Sequence, residues 1–442
     1  MKKIFSLLLL LFPLLGNAQS SIIRTNYHSN GIYSGTDREI IVSVPPAYAS
    51  GQKCCMLVCM DGILFDAVNV MDRLTSEGKM PPTIGVFIGP GVIKNAQDEV
   101  VRYNRSNEFD RVDGRFASFL EKEIFPFVES LKLDDGTAIT LPADANDRAI
   151  TGASSGGIAA FVAAWERPDL FSRVYSAVGT FVSMRGGNEI PALVRKYEPK
   201  PLRIFLQDGT QDAWNPLFGT WWEYNQLLAS ALTFSGYDAS WKWDEGGHSI
   251  TYGTKVFPEA MEFLWKGWPS RVEAGHSEND MLASVLVEGE SWRETDMPEK
   301  MENGPLFATY PDGSFVVWPE QGSNWLVSAI VGEDGAWEHA EQFYWLHSRN
   351  IGGANPARAM LFDAAGNLYV ATGMGIQICD QNGRVRAILT NPTDSEGTVE
   401  ISSMKLSEDG VLYVSDGRRT FARKIGTGAP APGTRPVSQG QG

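Results

Sequence analysis

The segment RAITGASSGGIAAFVAAWERPDLF, Arg148 to Phe171, decides the fold. A short apolar strand, Arg148–Gly152, runs into Gly152-Ala153-Ser154-Ser155-Gly156, and an alanine-rich stretch of helical character follows at once. The pentad fits G-x-S-x-G, a serine carried on a tight turn between strand and helix. Such a turn forces unusual backbone angles on the serine, and flanking side chains would collide with the strand and the helix. Glycines at both ends remove those collisions and lift the hydroxyl into the open. The turn also starts the helix, so the Ser155 N–H can point at negative charge developing on a substrate oxygen. A second reading of the same residues is that small side chains simply let a strand and a helix pack closely. The choice depends on what the rest of the chain supplies, and in what order.

Working outward, apolar strand-like runs alternate with helical stretches from about Arg38 to Trp268. The strand candidates are Ile40–Val44, Cys54–Met60, Ile84–Ile88, Arg148–Gly152, Val174–Val178, Leu202–Gln207 and Ala239–Trp243. Between them, RFASFLEKEIFPFVESL places Phe116, Phe119, Leu120, Ile124, Phe127 and Val128 at helical spacing. This alternation predicts an α/β fold with a mostly parallel sheet covered by helices on both faces. Ligands of such sheets sit beyond the carboxyl ends of the strands.

In an α/β-hydrolase the catalytic groups follow the chain order serine, acid, histidine. After Ser154 the strand PLRIFLQ ends in Asp208-Gly209-Thr210-Gln211-Asp212. Asp212, past the Gly-Thr turn, is the preferred acid, and Asp208 is its rival. WKWDEGGHSITYG then places His248 in a loop after a strand and two glycines. The other four of the five histidines, His28, His276, His339 and His347, lie outside the stretch between the acid and the end of the first domain. A second oxyanion donor is expected from the turn after MLVCM, at Asp61-Gly62-Ile63, with the N–H of Ile63 as the candidate beside that of Ser155.

The 442 residues suit two domains, and 43% hydrophobic residues suffice for real cores. A formal net charge of -15 with no basic patch argues against nucleic acid as a partner. MKKIFSLLLLLFPLLGNAQS has a basic start, a short apolar run and a cleavage-like Asn17-Ala18, the pattern of a secretory signal peptide over residues 1–18. That implies export to the periplasm or beyond, with no membrane span in the mature form. Cys54, Cys55 and Cys59 share one apolar strand, where disulfide geometry is poor, and Cys379 is remote. Buried free thiols and no metal site are expected.

The pieces VPPAYASG, LVCMDG, RSNEFD, RFASFLEKEIFPFVE, TGASSGG, WERPDLFSRV, SMRGG, LQDGTQD and EGGHS, in order from Gly31 to Pro269, resemble the esterase D and enterochelin-esterase-like α/β-hydrolases. That group also holds the family 1 carbohydrate esterases. The resemblance implies a serine ester hydrolase over residues 19–270, with Ser154 as nucleophile, His248 as base, Asp212 as orienting acid and no cofactor. It implies a small ester or an acylated polysaccharide as substrate, including acetyl, feruloyl and siderophore esters. Arg105, Glu108 and Arg185 fall in loops near the strand ends and are candidates to grip a substrate, with structural ion pairs as the alternative. Trp214, Trp221 and Trp222 follow the acid loop. Their faces suit a sugar or a cinnamoyl group, or else core packing.

After about Arg271 the texture changes. YPDGSFVVW (Tyr310–Trp318), DAAGNLYVAT (Asp363–Thr372) and SEDGVLYVSD (Ser407–Asp416) each place a glycine turn before a strand. Such units, about forty to fifty residues apart, predict blade-like hairpins of a smaller all-β, propeller-like domain over residues 271–428. The segment Ala357–Leu389 resembles part of the gluconolactonase/SMP-30-like propellers. The family's metal-holding Asp-Gly is replaced there by Ala357-Arg358-Ala359-Met360, and an arginine cannot ligate a cation. No metal and no lactonase chemistry are therefore expected. The tail 429–442 is low in complexity and is read as disordered. The alternatives to a serine esterase are a carbohydrate-binding scaffold with a silent hydrolase fold and a metal-dependent lactonase. Sequence does not set the oligomeric state.

Overall fold

The computed structural model describes residues 19–49, 51–296, 306–348, 354–394, 397–431 and 433–436. The candidate signal segment 1–18 lies outside the described residues. The chain forms two compact units. The first takes the described part of Met1–Phe109, then Gly114–Gly179 and His248–Arg271, and the second takes Asp110–Asp113, Thr180–Gly247 and the described residues from Val272 onward.

In the first unit the strands are β1 (Ser21–His28), β2 (Asp37–Val44), β3 (Cys55–Met60), β4 (Thr83–Ile88), β5 (Val92–Lys94), β6 (Val100–Tyr103), β7 (Arg148–Ala153) and β8 (Arg173–Ala177). β3 pairs in parallel with β4 and β7, and β7 with β8. β2 runs antiparallel to β4 and β1, and the β5–β6 hairpin continues from it. β3, β4, β7 and β8 are buried at every position. A parallel strand covered on both faces needs a continuous apolar run, which is what CMLVCM and TIGVFI supply. Cys54, Cys55 and Cys59 lie in or beside β3 as buried free thiols, and Cys379 is also buried and free. The segment Phe116–Val128 is helical in two pieces, Arg115–Phe119 and Phe125–Ser130, joined by a wider turn at Leu120–Ile124. Pro126 lacks the N–H that a regular helix would use there.

In the second unit β9 (Arg203–Gln211), the short hairpin β10 (Trp214–Asn215) and β11 (Gly219–Thr220), and β12 (Asp238–Gly247) follow in sequence, with β12 parallel to β9. The two backbones come close at Gly209, where a Cβ would lie 2.2 Å from the Gly246 carbonyl oxygen.

Beyond Arg271 come β13 (Arg293–Glu294), β14 (Ala308–Thr309), β15 (Phe315–Pro319), β16 (Trp325–Val331), β17 (Trp337–Trp345), β18 (Ala359–Phe362), β19 (Leu368–Thr372), β20 (Gly375–Cys379) and β21 (Val385–Leu389). A two-residue pair, β22 (Thr393–Asp394) and β23 (Gly397–Thr398), precedes β24 (Ser403–Leu406), β25 (Val411–Ser415) and β26 (Thr420–Lys424). They make three four-stranded antiparallel sheets, β14–β17, β18–β21 and β13-β26-β25-β24. The three glycine-turn segments of the sequence lead into β15, β19 and β25, one in each of these sheets. The segment Lys196–Glu198 joins this β region. Tyr197 bridges Ile388 in parallel, Glu198 N–H donates to Ile388 O at 3.0 Å, and Arg423 pairs with Glu198 at 2.7 Å. Part of the tail is described, and there Gly433 N–H donates to Pro311 O at 3.2 Å. No helix among the described residues is long and apolar enough to cross a membrane.

Candidate active site

Ser154 stands between β7 and the helix Ser155–Glu166 with φ 59° and ψ −122°. An L-residue pays for that conformation, so the surroundings must impose it. Ser154 N–H donates to Ala177 O at 3.0 Å, which ties the turn to the end of β8. The flanking glycines are required by space. A Cβ on Gly152 would lie 2.4 Å from Gly156 O, and one on Gly157 would lie 2.7 Å from Ser176 Oγ. The first N–H groups of the following helix have no acceptor within it, which leaves Ser155 N–H at the positive end of a twelve-residue helix.

His248 follows β12 and precedes the helix Ile250–Leu264, which Ser249 caps by accepting from Thr251 N–H at 3.2 Å. Its Nε2 lies 2.8 Å from Ser154 Oγ. The two side chains are 94 residues apart in sequence and share one hydrogen bond. The imidazole is exposed and the serine half-buried, so the pair opens to solvent.

The turn after β3 holds several left-handed residues: Asp61 at φ 64°, Gly62 at 82°, Phe65 at 60° and Asp66 at 53°. The Asp61 carboxylate receives a two-pronged contact from Arg105, Nε to Oδ1 at 2.7 Å and Nη2 to Oδ2 at 2.8 Å. Ile63 sits in this turn, half-buried.

In the second unit, Asp212 is buried just past β9 and accepts from Ala213 N–H at 2.5 Å. Asp208 is fully buried within β9 and accepts from Gly209 N–H at 2.7 Å. Burial pushes the Asp208 carboxyl up to about 9, and its hydrogen bond and like charge with Asp212 push the same way.

The substrate-grip candidates separate by environment. Glu108 is buried and paired with Arg38 at 2.7 Å, both side chains having no exposure, so its carboxylate is committed to the core. Arg105 is occupied by Asp61. Arg185 is exposed in a loop, with φ 48°. Trp214 is 70% exposed on the β10–β11 hairpin. Trp221 is buried, its Nε1–H donating to Thr180 Oγ1 at 3.2 Å, while Trp222 packs edge-on to Trp243 at 5.2 Å. The sequence names Asp61 and Asp208 but not the Arg105 partner of the first or the burial that raises the carboxyl of the second. A positively charged residue opening RSNEFD and a carboxylate directly before Gly62 were the only signals for the first. Among the described residues no group of three or more His, Cys, Asp or Glu could hold a metal, and Arg358 pairs with Glu400 at 2.7 Å.

Residues 31–265, more than half of the chain, match the model of the Esterase family, described as "Putative esterase". The chain belongs to this family of α/β-hydrolases. Among solved structures it is similar to a ferulic acid esterase, at 18% identity and TM-score 0.42, covering 56% of this chain and 99% of that one. It is similar to the enterobactin esterase FES from Shigella flexneri, at 20% identity and TM-score 0.43, covering 57% of this chain and 60% of that one. A feruloyl esterase module from Clostridium thermocellum is similar at 13% identity and TM-score 0.40, over 58% of this chain and 91% of that one. No curated protein matches.

Proposed function

We propose that the chain is an exported serine ester hydrolase working through an acyl-enzyme. The observation that carries this is the 2.8 Å contact between His248 Nε2 and Ser154 Oγ, on a serine held at φ 59°. Ser154 Oγ attacks the ester carbonyl carbon while His248 Nε2 takes its proton. The carbonyl oxygen becomes an oxyanion, stabilised by the N–H groups of Ser155 and Ile63. Collapse of the tetrahedral adduct breaks the bond to the alcohol oxygen, which leaves with the proton from His248. Water then attacks the acyl-enzyme with His248 as base, and the acid departs from a restored Ser154. Asp212 orients the imidazole, and the neutrality of Asp208 favours Asp212 over its rival.

The substrate class in this reading is an acyl ester, acetyl or feruloyl, on a plant polysaccharide or a related alcohol. Residues 19–270 form the hydrolase region and 271–428 a partial propeller in this reading. Turnover of p-nitrophenyl acetate that vanishes in Ser154→Ala, with indifference to EDTA, is the expected result. Unchanged turnover in that variant defeats the proposal. Acetylated xylan, methyl ferulate and aryl acetates assayed side by side would assign the acyl group.

A further inference from the structure

The Arg105–Asp61 pair touches both parts of the oxyanion site. Asp61 opens the turn that carries Ile63, and four of the six residues Asp61–Asp66 are left-handed. A turn so populated needs outside ties, because each strained non-glycine residue costs about 1–3 kcal/mol. Gly62 N–H reaches Ile88 O only at 3.4 Å, and Asp66 is held by Asn69 at 2.6 Å. The strongest tie on the first residue of the turn is the bidentate grip of Arg105, a geometry that lysine cannot reproduce.

The same pair reaches the nucleophile turn at two points. Arg105 Nη2 lies 3.4 Å from the carbonyl oxygen of Ala153, the residue before Ser154. A Cβ on Gly156 would sit 3.1 Å from Asp61 Oδ2, so the carboxylate lies against the first turn of the helix that carries Ser155 N–H. That helix end attracts negative charge. An uncompensated carboxylate there would compete with a developing oxyanion for the same positive end, and the guanidinium cancels it.

We propose that Arg105 is a positioning residue: through Asp61 it fixes the spacing between the Ser155 and Ile63 N–H groups and neutralises the carboxylate beside them. This rests on the ester-hydrolase reading of Ser154 and His248. It assigns Arg105 to the stabilisation of the transition state rather than to the grip on a substrate.

The test is steady-state hydrolysis of p-nitrophenyl acetate by the full chain, together with inhibition by phenylboronic acid, which becomes tetrahedral and anionic on a serine oxygen. In Arg105→Met, kcat should fall about ten- to hundredfold, less than the loss of a whole oxyanion donor. KM should stay within about twofold, and boronate affinity should fall by a factor similar to kcat. Asp61→Asn, which keeps the side-chain shape, should move both readouts in the same direction and serves if Arg105→Met does not fold. A variant with kcat and boronate affinity within twofold of wild type overturns the inference, as does a rise in KM alone. Failure of the underlying reading looks different, because wild type would then hydrolyse no ester in a Ser154-dependent way.

Discussion

Replacing Gly152 by alanine tests whether the nucleophile turn is as tightly built as its geometry implies. The added Cβ would lie 2.4 Å from the carbonyl oxygen and 2.5 Å from the carbonyl carbon of Gly156, and both are backbone atoms. Carbon atoms in proteins do not approach that closely, so the start of the helix must move by about half an ångström or more. Overpacking of this kind costs about 1–3 kcal/mol, and a clash with backbone belongs at the upper end. The displacement carries Ser155 N–H with it, and misplacement on the ångström scale costs about a hundredfold in rate. Gly156→Ala is the graded control. Its Cβ meets only Asp61 Oδ2 and Met60 Cβ, each at 3.1 Å, contacts that yield with a few tenths of an ångström of movement. It should cost under about 1 kcal/mol but still lower kcat, because it presses on the Asp61 carboxylate. Denaturant unfolding followed by far-ultraviolet circular dichroism reads the first quantity, and p-nitrophenyl acetate hydrolysis reads the second. A Gly152→Ala protein with an unchanged midpoint and full activity, or one more stable than Gly156→Ala, refutes the steric reasoning.

Four further outcomes follow from buried charge. Asp208→Asn should keep activity while Asp212→Asn loses it, measured as kcat on an aryl acetate; the reverse ranking would make Asp208 the acid. Because the folded Asp208 carboxyl is raised from 3.8 to about 9, the wild type loses stability as pH rises through that window, when the unfolded chain releases a proton that the native state keeps. Asp208→Asn should therefore gain stability over wild type towards pH 9 and show no gain near pH 4, and a gain that is flat with pH contradicts the assignment. Glu108→Ala should destabilise the first unit by about 3–5 kcal/mol, since it strands the buried Arg38 guanidinium; a stable variant with a raised KM would return Glu108 to the substrate. Burial, and then the Lys196 ammonium at 2.8 Å, lower His347 to about 4 from 6.5. The second unit should lose stability as pH falls between those values, and His347→Gln should flatten that loss in a pH series of melting curves.

The strands of the parallel core were legible because burial on both faces demands unbroken apolar runs, and CMLVCM, TIGVFI and RAITGA satisfy that locally. β1 escaped notice because SIIRTNYH mixes polar and apolar residues on a half-exposed strand, so no run marks it. The serine and histidine were legible because chain order and glycine spacing constrain them. The partners were not. Arg105 and Asp61 are 44 residues apart, and Arg38 and Glu108 are 70 apart. Nothing local tells a guanidinium which carboxylate it will meet, or that Glu108 faces the core three residues after Arg105 faces the site. The neutrality of Asp208 depends on total burial beside a second carboxylate, a property of three-dimensional packing alone. Nor does any motif announce that Lys196–Glu198 would pair with Ile388 almost two hundred residues later.

Backbone strain identifies the same site without any motif. Three non-glycine residues with positive φ sit just past three neighbouring parallel strands: Asp61 after β3 at 64°, Ser154 after β7 at 59° and Val178 after β8 at 42°. For a β-branched residue such as Val178 that conformation is an outlier. Each costs about 1–3 kcal/mol, and a fold keeps such costs only where its surroundings over-determine them. Here the surroundings are identifiable. Arg105 holds Asp61, the Ala177 carbonyl holds Ser154 N–H, and Gly157 packs so closely on β8 that a Cβ would lie 3.1 Å from that same carbonyl oxygen. The strained positions share one edge of the sheet, the carboxyl ends of its strands. The strained turns thus set the Ser154 hydroxyl and the Asp61–Asp66 turn on one edge of the sheet, the edge at which ligands of such sheets bind.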